Sequence, residues 1–159
     1  MRVAVFSDSH GRLTFAFQAL RSAGPVDLIL HAGDHCSDGL KLGAETGIAV
    51  KAVRGNCDYG LDGLAEEIVE LSGRRILLTH GHLAGVKQPS SRGNLLAAAR
   101  ENGVEAVVFG HTHVAVAEHE GGVLLFNPGS IARPLDQERP SYGILEITGE
   151  GIIPYICRI

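Results

Sequence analysis

Five apolar runs in this chain each end on a short polar island rich in metal-ligating side chains. No other feature restricts the fold as much. The runs are Val3–Phe6, Leu28–Leu30, Ile48–Val50, Ile76–Leu78 and Ala106–Phe109. The islands that follow are Asp8-Ser9-His10, Gly33-Asp34, Gly55-Asn56-Cys57-Asp58, His80-Gly81-His82 and Gly110-His111-Thr112-His113. Continuous rather than alternating hydrophobicity is the mark of parallel strands covered on both faces. In open α/β sheets the loops leaving the carboxyl ends of such strands share one rim, where ligands bind. The pattern therefore predicts an α/β fold in which Asp8, His10, Asp34, Asn56, His80, His111 and His113 converge. Seven nitrogen and oxygen donors exceed what a single ion needs.

The 159 residues, 45% of them hydrophobic, suffice for one domain spanning 1–159 with a full core. No apolar stretch approaches the ~20 residues of a membrane helix. The chain opens directly on a strand-like segment, Arg2 to Phe6, so no signal peptide is expected. The net charge is −4, without a Lys/Arg run, which argues against an extended nucleic-acid surface. Cys36, Cys57 and Cys157 form no CxxC pair; they read as reduced thiols of a cytoplasmic protein.

The front of the chain alternates strands with helices, expected over Leu13–Ala23, 36–44 and Ser91–Asn102. The third has Ser90 and Ser91 as N-cap candidates and Gly103 beyond its end. The tail instead carries four short β-type runs, Val114–Glu118, Val123–Phe126, Tyr142–Ile147 and Ile152–Cys157. They are separated by Gly121-Gly122, Asn127-Pro128-Gly129 and Gly149-Glu150-Gly151, all of which read as hairpin turns. This order predicts two mixed sheets packed face to face with helices outside. Residues 59–67 and 83–90 read as loops on the site rim, and the hairpin tail offers edges on which a homo-oligomer could form.

Asp8 and His10 are two residues apart, as are His111 and His113, so on a continuing strand each pair would point to one face. Asp34 follows a glycine that allows a sharp turn; taken alone it would be a helix cap. Asn56, taken alone, would be a turn residue. Two carboxylates, one amide and four imidazoles suit borderline divalent ions: Mn²⁺, Ni²⁺, Fe²⁺, Co²⁺ or Zn²⁺. A zinc finger is excluded by the lack of cysteine pairs, and a serine hydrolase by the lack of a GxSxG elbow. Two divalent ions, two carboxylates and a bridging hydroxide leave a positive centre that suits an anionic substrate. Two ions ~3.5–4 Å apart activate a hydroxide and clamp an in-line displacement, which is the requirement of phosphoester hydrolysis.

In order and spacing, DxH, GD, GNCD, HGH and GHTH resemble the signature of the calcineurin-like metallophosphoesterases. The phrases THGHLAG, FGHTH and NPGSIARP resemble the small prokaryotic, YfcE-type phosphodiesterase branch of that superfamily. The resemblance implies a four-layer α/β/β/α sandwich with a dinuclear metal site at the strand ends, acting on a small phosphodiester through a metal-bridging hydroxide. It implies that Asp8, His10 and His113 hold one ion, that Asn56, His80 and His111 hold the other, and that Asp34 bridges them. Asp34, Asn56 and His82 are the residues expected to take part in catalysis. Cys57 stands where larger relatives carry a histidine beside the leaving group, so monoesters should be poorer substrates than activated diesters. The alternative is a non-catalytic scaffold of the same fold, of the retromer-subunit type. Among the other polar residues, Asp58 is expected to orient the Asn56 loop and His31 to be a buried supporting histidine. His119 should be solvated, Asn127–Ser130 a turn that supports His111 or His113, and Arg133 a phosphate contact.

Overall fold

The computed structural model describes residues 1–60, 63–88, 90–136 and 139–159. The expected rim loops 59–67 and 83–90 therefore fall partly outside the described residues.

The elements, in chain order, are β1 (Arg2–Phe6), α1 (Thr14–Ala23), β2 (Leu28–His31), α2 (Cys36–Thr46), β3 (Ala49–Ala52), β4 (Glu66–Leu71), β5 (Arg74–Thr79), α3 (Ser91–Asn102), β6 (Ala106–Val108), β7 (Ala115–Glu120), β8 (Val123–Pro128), β9 (Ser141–Ile147) and β10 (Ile152–Arg158). One five-stranded sheet runs β10-β9-β1-β2-β3 and the other β4-β5-β6-β8-β7. β1, β2 and β3 are mutually parallel, as are β5, β6 and β8. The outer hairpins are antiparallel.

The period-two alternation of strand side chains separates the layers. Val3, Val5, Leu28 and Leu30 face Ile76, Leu78, Val108 and Phe126 across the space between the sheets. Their strand neighbours point outward. Ala4, Phe6 and Ile29 pack under Ala16 and Ala19 of α1 and Leu42 of α2. Leu77, Val107 and Leu125 pack under Leu95, Leu96 and Ala99 of α3. The result is the expected four-layer α/β/β/α sandwich. No helix among the described residues is long and apolar enough to cross a membrane.

Four details differ from what the sequence suggests. The five apolar runs are divided between the sheets, β1–β3 in one and β5–β6 in the other, so the site lies at the mouth between two sheets rather than along one rim. β3 is an edge strand with alternate residues exposed, although its run looks continuously apolar. Glu66 and Glu67 begin β4 instead of closing a loop; glutamates on an exposed edge hide a strand from a hydrophobicity pattern. Finally, Asn127-Pro128-Gly129 is no hairpin turn. β8 and β9 belong to different sheets, and this segment carries the chain from one to the other.

Candidate metal centre

The seven donors do come together, though by a different local route from strand alternation. β1 ends at Phe6 and β6 at Val108, before the Asp8/His10 and His111/His113 pairs begin. Asp8, His10, Asp34, His35, His111 and His113 all have positive φ, between 46° and 71°. Non-glycine residues adopt this left-handed conformation at a cost of roughly 1–2 kcal/mol each. Such clustering is typical of backbone held under strain at a functional site. The turns coil each loop so that alternate side chains converge. Two glycines permit the loops to touch. A Cβ on Gly55 would lie 2.1 Å from Asp34 Oδ1, and one on Gly110 would lie 1.9 Å from Ser7 Oγ.

Two donor groups result. The ligating atoms of Asp8, His10, Asp34 and His113 lie within 4.8 Å of one another, as do those of Asp34, His80 and His111. Asp34 belongs to both: its Oδ1 is 3.3 Å from His80 Nε2 and its Oδ2 is 3.8 Å from His10 Nε2. Asn56 joins the second group through Oδ1, 3.1 Å from His80 Nε2.

The protonation pattern tests whether a cation fits. His80 Nδ1 faces the Ala32 carbonyl at 2.7 Å and must donate to it, so in the neutral ring Nε2 carries a bare lone pair. That lone pair faces Asn56 Oδ1, Asp34 Oδ1 and, at 3.2 Å, His111 Nδ1. His113 Nδ1 likewise donates to the Arg133 carbonyl at 2.7 Å, turning Nε2 toward Asp8 Oδ1 at 3.1 Å and His10 Nε2 at 3.5 Å. Asp8 Oδ1 is buried without a hydrogen bond, while Oδ2 accepts from Ser7 Oγ at 2.6 Å and from the His111 amide at 3.1 Å. Acceptors aimed at one another in a buried site repel unless a cation lies among them. The residues present fit divalent ions.

Charge and burial both act on these groups. Burial, together with His80 and Lys87, pushes His111 down to about 4, and burial lowers His10 too, so both imidazoles stay neutral and able to ligate. Burial alone would raise the Asp8 carboxyl, but His113, His80 and Ser7 outweigh it and keep it below the usual carboxylate range. Asp8 in turn raises His113.

A buried network supports the first loop. Ser9 Oγ donates to Asp38 Oδ2 at 2.8 Å and lies 3.1 Å from His31 Nε2; the Gly11 amide also donates to Asp38 Oδ2, at 2.7 Å. His31, fully buried and pushed down to about 4, is the supporting histidine its apolar strand suggested. Sequence reasoning missed Ser7, Ser9 and Asp38, because nothing in a helical stretch reveals that one aspartate points inward. Asp58 orients its loop as expected, accepting from the Gly55 amide at 2.8 Å and the Cys36 amide at 2.9 Å. Asn127 Nδ2 donates to the Gly110 carbonyl at 2.9 Å and to Thr112 Oγ1 at 3.0 Å, and Ser130 Oγ donates to the Asp8 carbonyl at 2.8 Å. The turn between the sheets thus holds both histidine loops.

His82 stays outside both donor groups. Its ring centroid is 5.4 Å from His80 and 6.2 Å from His111, and its buried Nδ1 has no hydrogen bond. The Arg133 side chain is exposed, and its backbone makes the contacts to the site. His119 is exposed on β7. Cys57 is pushed up to about 11 by burial and by Asp34, whose Oδ1 accepts its amide at 2.9 Å; the thiol is neutral.

Known proteins resemble this chain in sequence and in fold. A probable metallophosphoesterase of Bacillus subtilis, YsnB, is 38% identical over 152 residues, covering 94% of this chain and 86% of the relative. The phosphodiesterase YfcE of Escherichia coli is 40% identical over 105 residues, covering 61% of this chain and 52% of YfcE. Among solved structures, a predicted phosphoesterase of Streptococcus pneumoniae superposes with a TM-score of 0.81 at 30% identity, covering 99% of this chain and 88% of that one. Vps29 of Entamoeba histolytica in complex with Zn²⁺ superposes with a TM-score of 0.77 at 22% identity over 99% of both chains, which is a likeness of fold alone. The model of the calcineurin-like phosphoesterase superfamily domain matches residues 1–150, and the chain belongs to that superfamily.

Proposed function

We propose that the chain is a metal-dependent phosphodiester hydrolase that works with two divalent ions. Asp34 carries the reading: its two carboxylate oxygens face different donor groups. In this reading Asp8, His10 and His113 would hold one ion, Asn56, His80 and His111 the other, and Asp34 would serve both. Bound ions supply Lewis-acid polarisation of the phosphoryl oxygens and acidify a water into a nucleophile at neutral pH.

The protein's own part is preorganisation. The Ala32 and Arg133 carbonyls fix the tautomers of His80 and His113, which are held ready before an ion arrives. Asp34 sets the spacing of the two groups. Asn56 stands at the exposed side, where the substrate enters. His82, whose ring lies 5.4 Å from that of His80, would donate a hydrogen bond to the substrate phosphate. Mn²⁺ is the ion we assign, in a cytoplasmic protein whose three cysteines are free. The diester preference is supported by the name of the YfcE relative and by Cys57, whose neutral thiol is a poor proton donor to a leaving group.

The likeness to Vps29 favours a second reading, a non-catalytic scaffold. Because that Vps29 is described with Zn²⁺, metal binding alone does not separate the two; turnover does. Chelator-stripped protein should lose hydrolysis of bis-(para-nitrophenyl) phosphate, and Mn²⁺ should restore it at two ions per chain. Full activity of the stripped protein would end the metal-dependent reading. Two bound ions without turnover of any phosphodiester would favour the scaffold.

A further inference from the structure

A cavity of about 180 Å³ lies between the start of α3 and the outer face of the second sheet, with Thr112 of the His111–His113 loop in its wall. Phe109, Val116, Leu125 and Leu95 form its apolar walls, and Thr112 closes it on the side of the ligand loop. Thr112 stands between His111 and His113, so one wall of the cavity is one residue from a ligand in either direction. The loop is anchored there: Thr112 Oγ1 accepts from Asn127 Nδ2 at 3.0 Å and pairs with the backbone of Val114. Arg92, at the same opening, is paired with Glu118 and Glu120, while Lys87, next to the lining residue Val86, is exposed and acts on both His111 and His113.

The rim continues the apolar character. Leu83 follows His82 directly and is 69% exposed; Val114, a cavity wall, follows His113 directly. Leu135 is 72% exposed, and its amide donates to the His113 carbonyl at 3.0 Å. Ser91, Arg92 and Thr112 bring polar groups to the cavity, but six of its nine described lining residues are apolar. An apolar cavity of about 150 Å³ is known to accept one benzene ring, so about 180 Å³ is room for a single ring or a short branched alkyl group, below the size of a drug-like ligand.

We propose that this cavity is the subsite for the non-reacting ester group of the substrate, and that the group is a single aromatic ring or an apolar group of that size. The inference rests on the phosphodiesterase reading. It assigns Val116 and Ser91 as specificity-determining residues. Both line the cavity, and neither belongs to the ligand loops.

The test keeps the leaving group constant. Bis-(para-nitrophenyl) phosphate and methyl para-nitrophenyl phosphate both release nitrophenolate, and they differ in the ester group that stays behind. Val116→Trp and Ser91→Phe fill the cavity from opposite walls. Each should lower the ratio of kcat/KM for the aryl ester over the methyl ester roughly tenfold while leaving the methyl ester within twofold of the unmodified protein. Retained methyl-ester turnover shows that the variant is folded. An unchanged ratio in the two variants would overturn the proposal. A second measurement is independent of turnover. Phenylphosphonate should shift the methyl resonances of Val116 and Leu125 in the zinc-loaded protein, and methylphosphonate should not. Equal shifts, or none, would overturn the subsite. If neither diester is hydrolysed but phenylphosphonate still moves these methyls, the cavity assignment stands and the phosphodiesterase reading falls.

Discussion

The two donor groups share Asp34 but differ in charge and in support. The first contains two carboxylates, Asp8 and Asp34, with His10 and His113. The second replaces the private carboxylate with the Asn56 amide and adds His80 and His111. The first also rests on buried hydrogen bonds from Ser7, Ser130 and the Ser9–Asp38–His31 network. The second depends on Asn56, an exposed residue on a loop tied down mainly by Asp58. Charge count and rigidity both set ion affinity. The first site should therefore bind tightly and the second weakly, and Asp34, the residue common to both, would couple them.

The shared residue gives the largest expected effect. Asp34→Asn removes the one charge common to both groups, so both ions should be lost together and kcat/KM should fall by about a thousandfold or more, in keeping with the loss of a preorganised electrostatic centre. His10→Ala touches only the first group and should cost less. Metal content and kcat/KM measured in parallel decide. Near-normal metal in Asp34→Asn would reduce Asp34 to a turn residue and dissolve the coupling.

Graded chelation exposes the asymmetry itself. As chelator rises, metal content should pause near one ion per chain, with activity already gone, before the second ion leaves. Asn56→Ala should widen that pause and Asp8→Asn should close it, with the affected affinity falling roughly tenfold or more in each case. Simultaneous loss of both ions from the unmodified protein would show that the groups are equivalent in spite of their charges.

The same contrast governs what could be read from the sequence. The seven donors and the layered fold were legible because buried parallel strands announce themselves as apolar runs and because ligands have distinctive chemistry. The mechanism of their convergence was not legible. Positive φ at Asp8, His10, His111 and His113 could not be assigned from the sequence: Asp and His adopt it more readily than most residues, but only a few per cent of non-glycine residues do so at all. The division of the islands between two sheets depends on long-range pairing, β1 with β9 and β6 with β8, which no local pattern encodes. Asp38 was hidden for a related reason: its burial is a property of packing, and a helix written CSDGLKLGAET gives no stripe that would point it inward. β4 was missed because Glu66, Glu67 and Glu70 interrupt its apolar residues.

Cys57 offers a smaller effect on the second group's side. Its neutral thiol lies beside Asp34 and contributes little to leaving-group protonation. Cys57→Ser should change kcat for an activated diester less than tenfold. Cys57→His should raise turnover of poor leaving groups, monoesters above all, because general acid assistance is worth about 10²–10⁴-fold where it is needed. The ratio of bis-nitrophenyl to mono-nitrophenyl phosphate turnover reads this directly, and a monoester preference in the unmodified protein would refute the assignment.

The smallest effect concerns the strap behind the first group. Asp136 accepts from the Ala115 amide at 3.0 Å and pairs with Arg158 at 2.6 Å, fastening the start of β7, just after His113, to β10. Arg158 holds the Asp136 carboxyl at about 2. The folded pKa lies below the unfolded value of ~3.9, so the charged form is favoured by folding. Its contribution is complete above about pH 4 and is lost as pH falls from there through about 2. Asp136→Asn should lower stability by roughly 1–2 kcal/mol at neutral pH, as expected for a half-buried charged hydrogen bond. Between pH 4 and 2 the stability difference from the unmodified protein should shrink toward zero. Denaturant unfolding at a series of pH values measures it. Because the strap stands on the His113 side, the variant should weaken the tight ion severalfold and leave the weak one unchanged. Weakening of the second ion instead would mean that the two groups are mechanically one, whatever their charges.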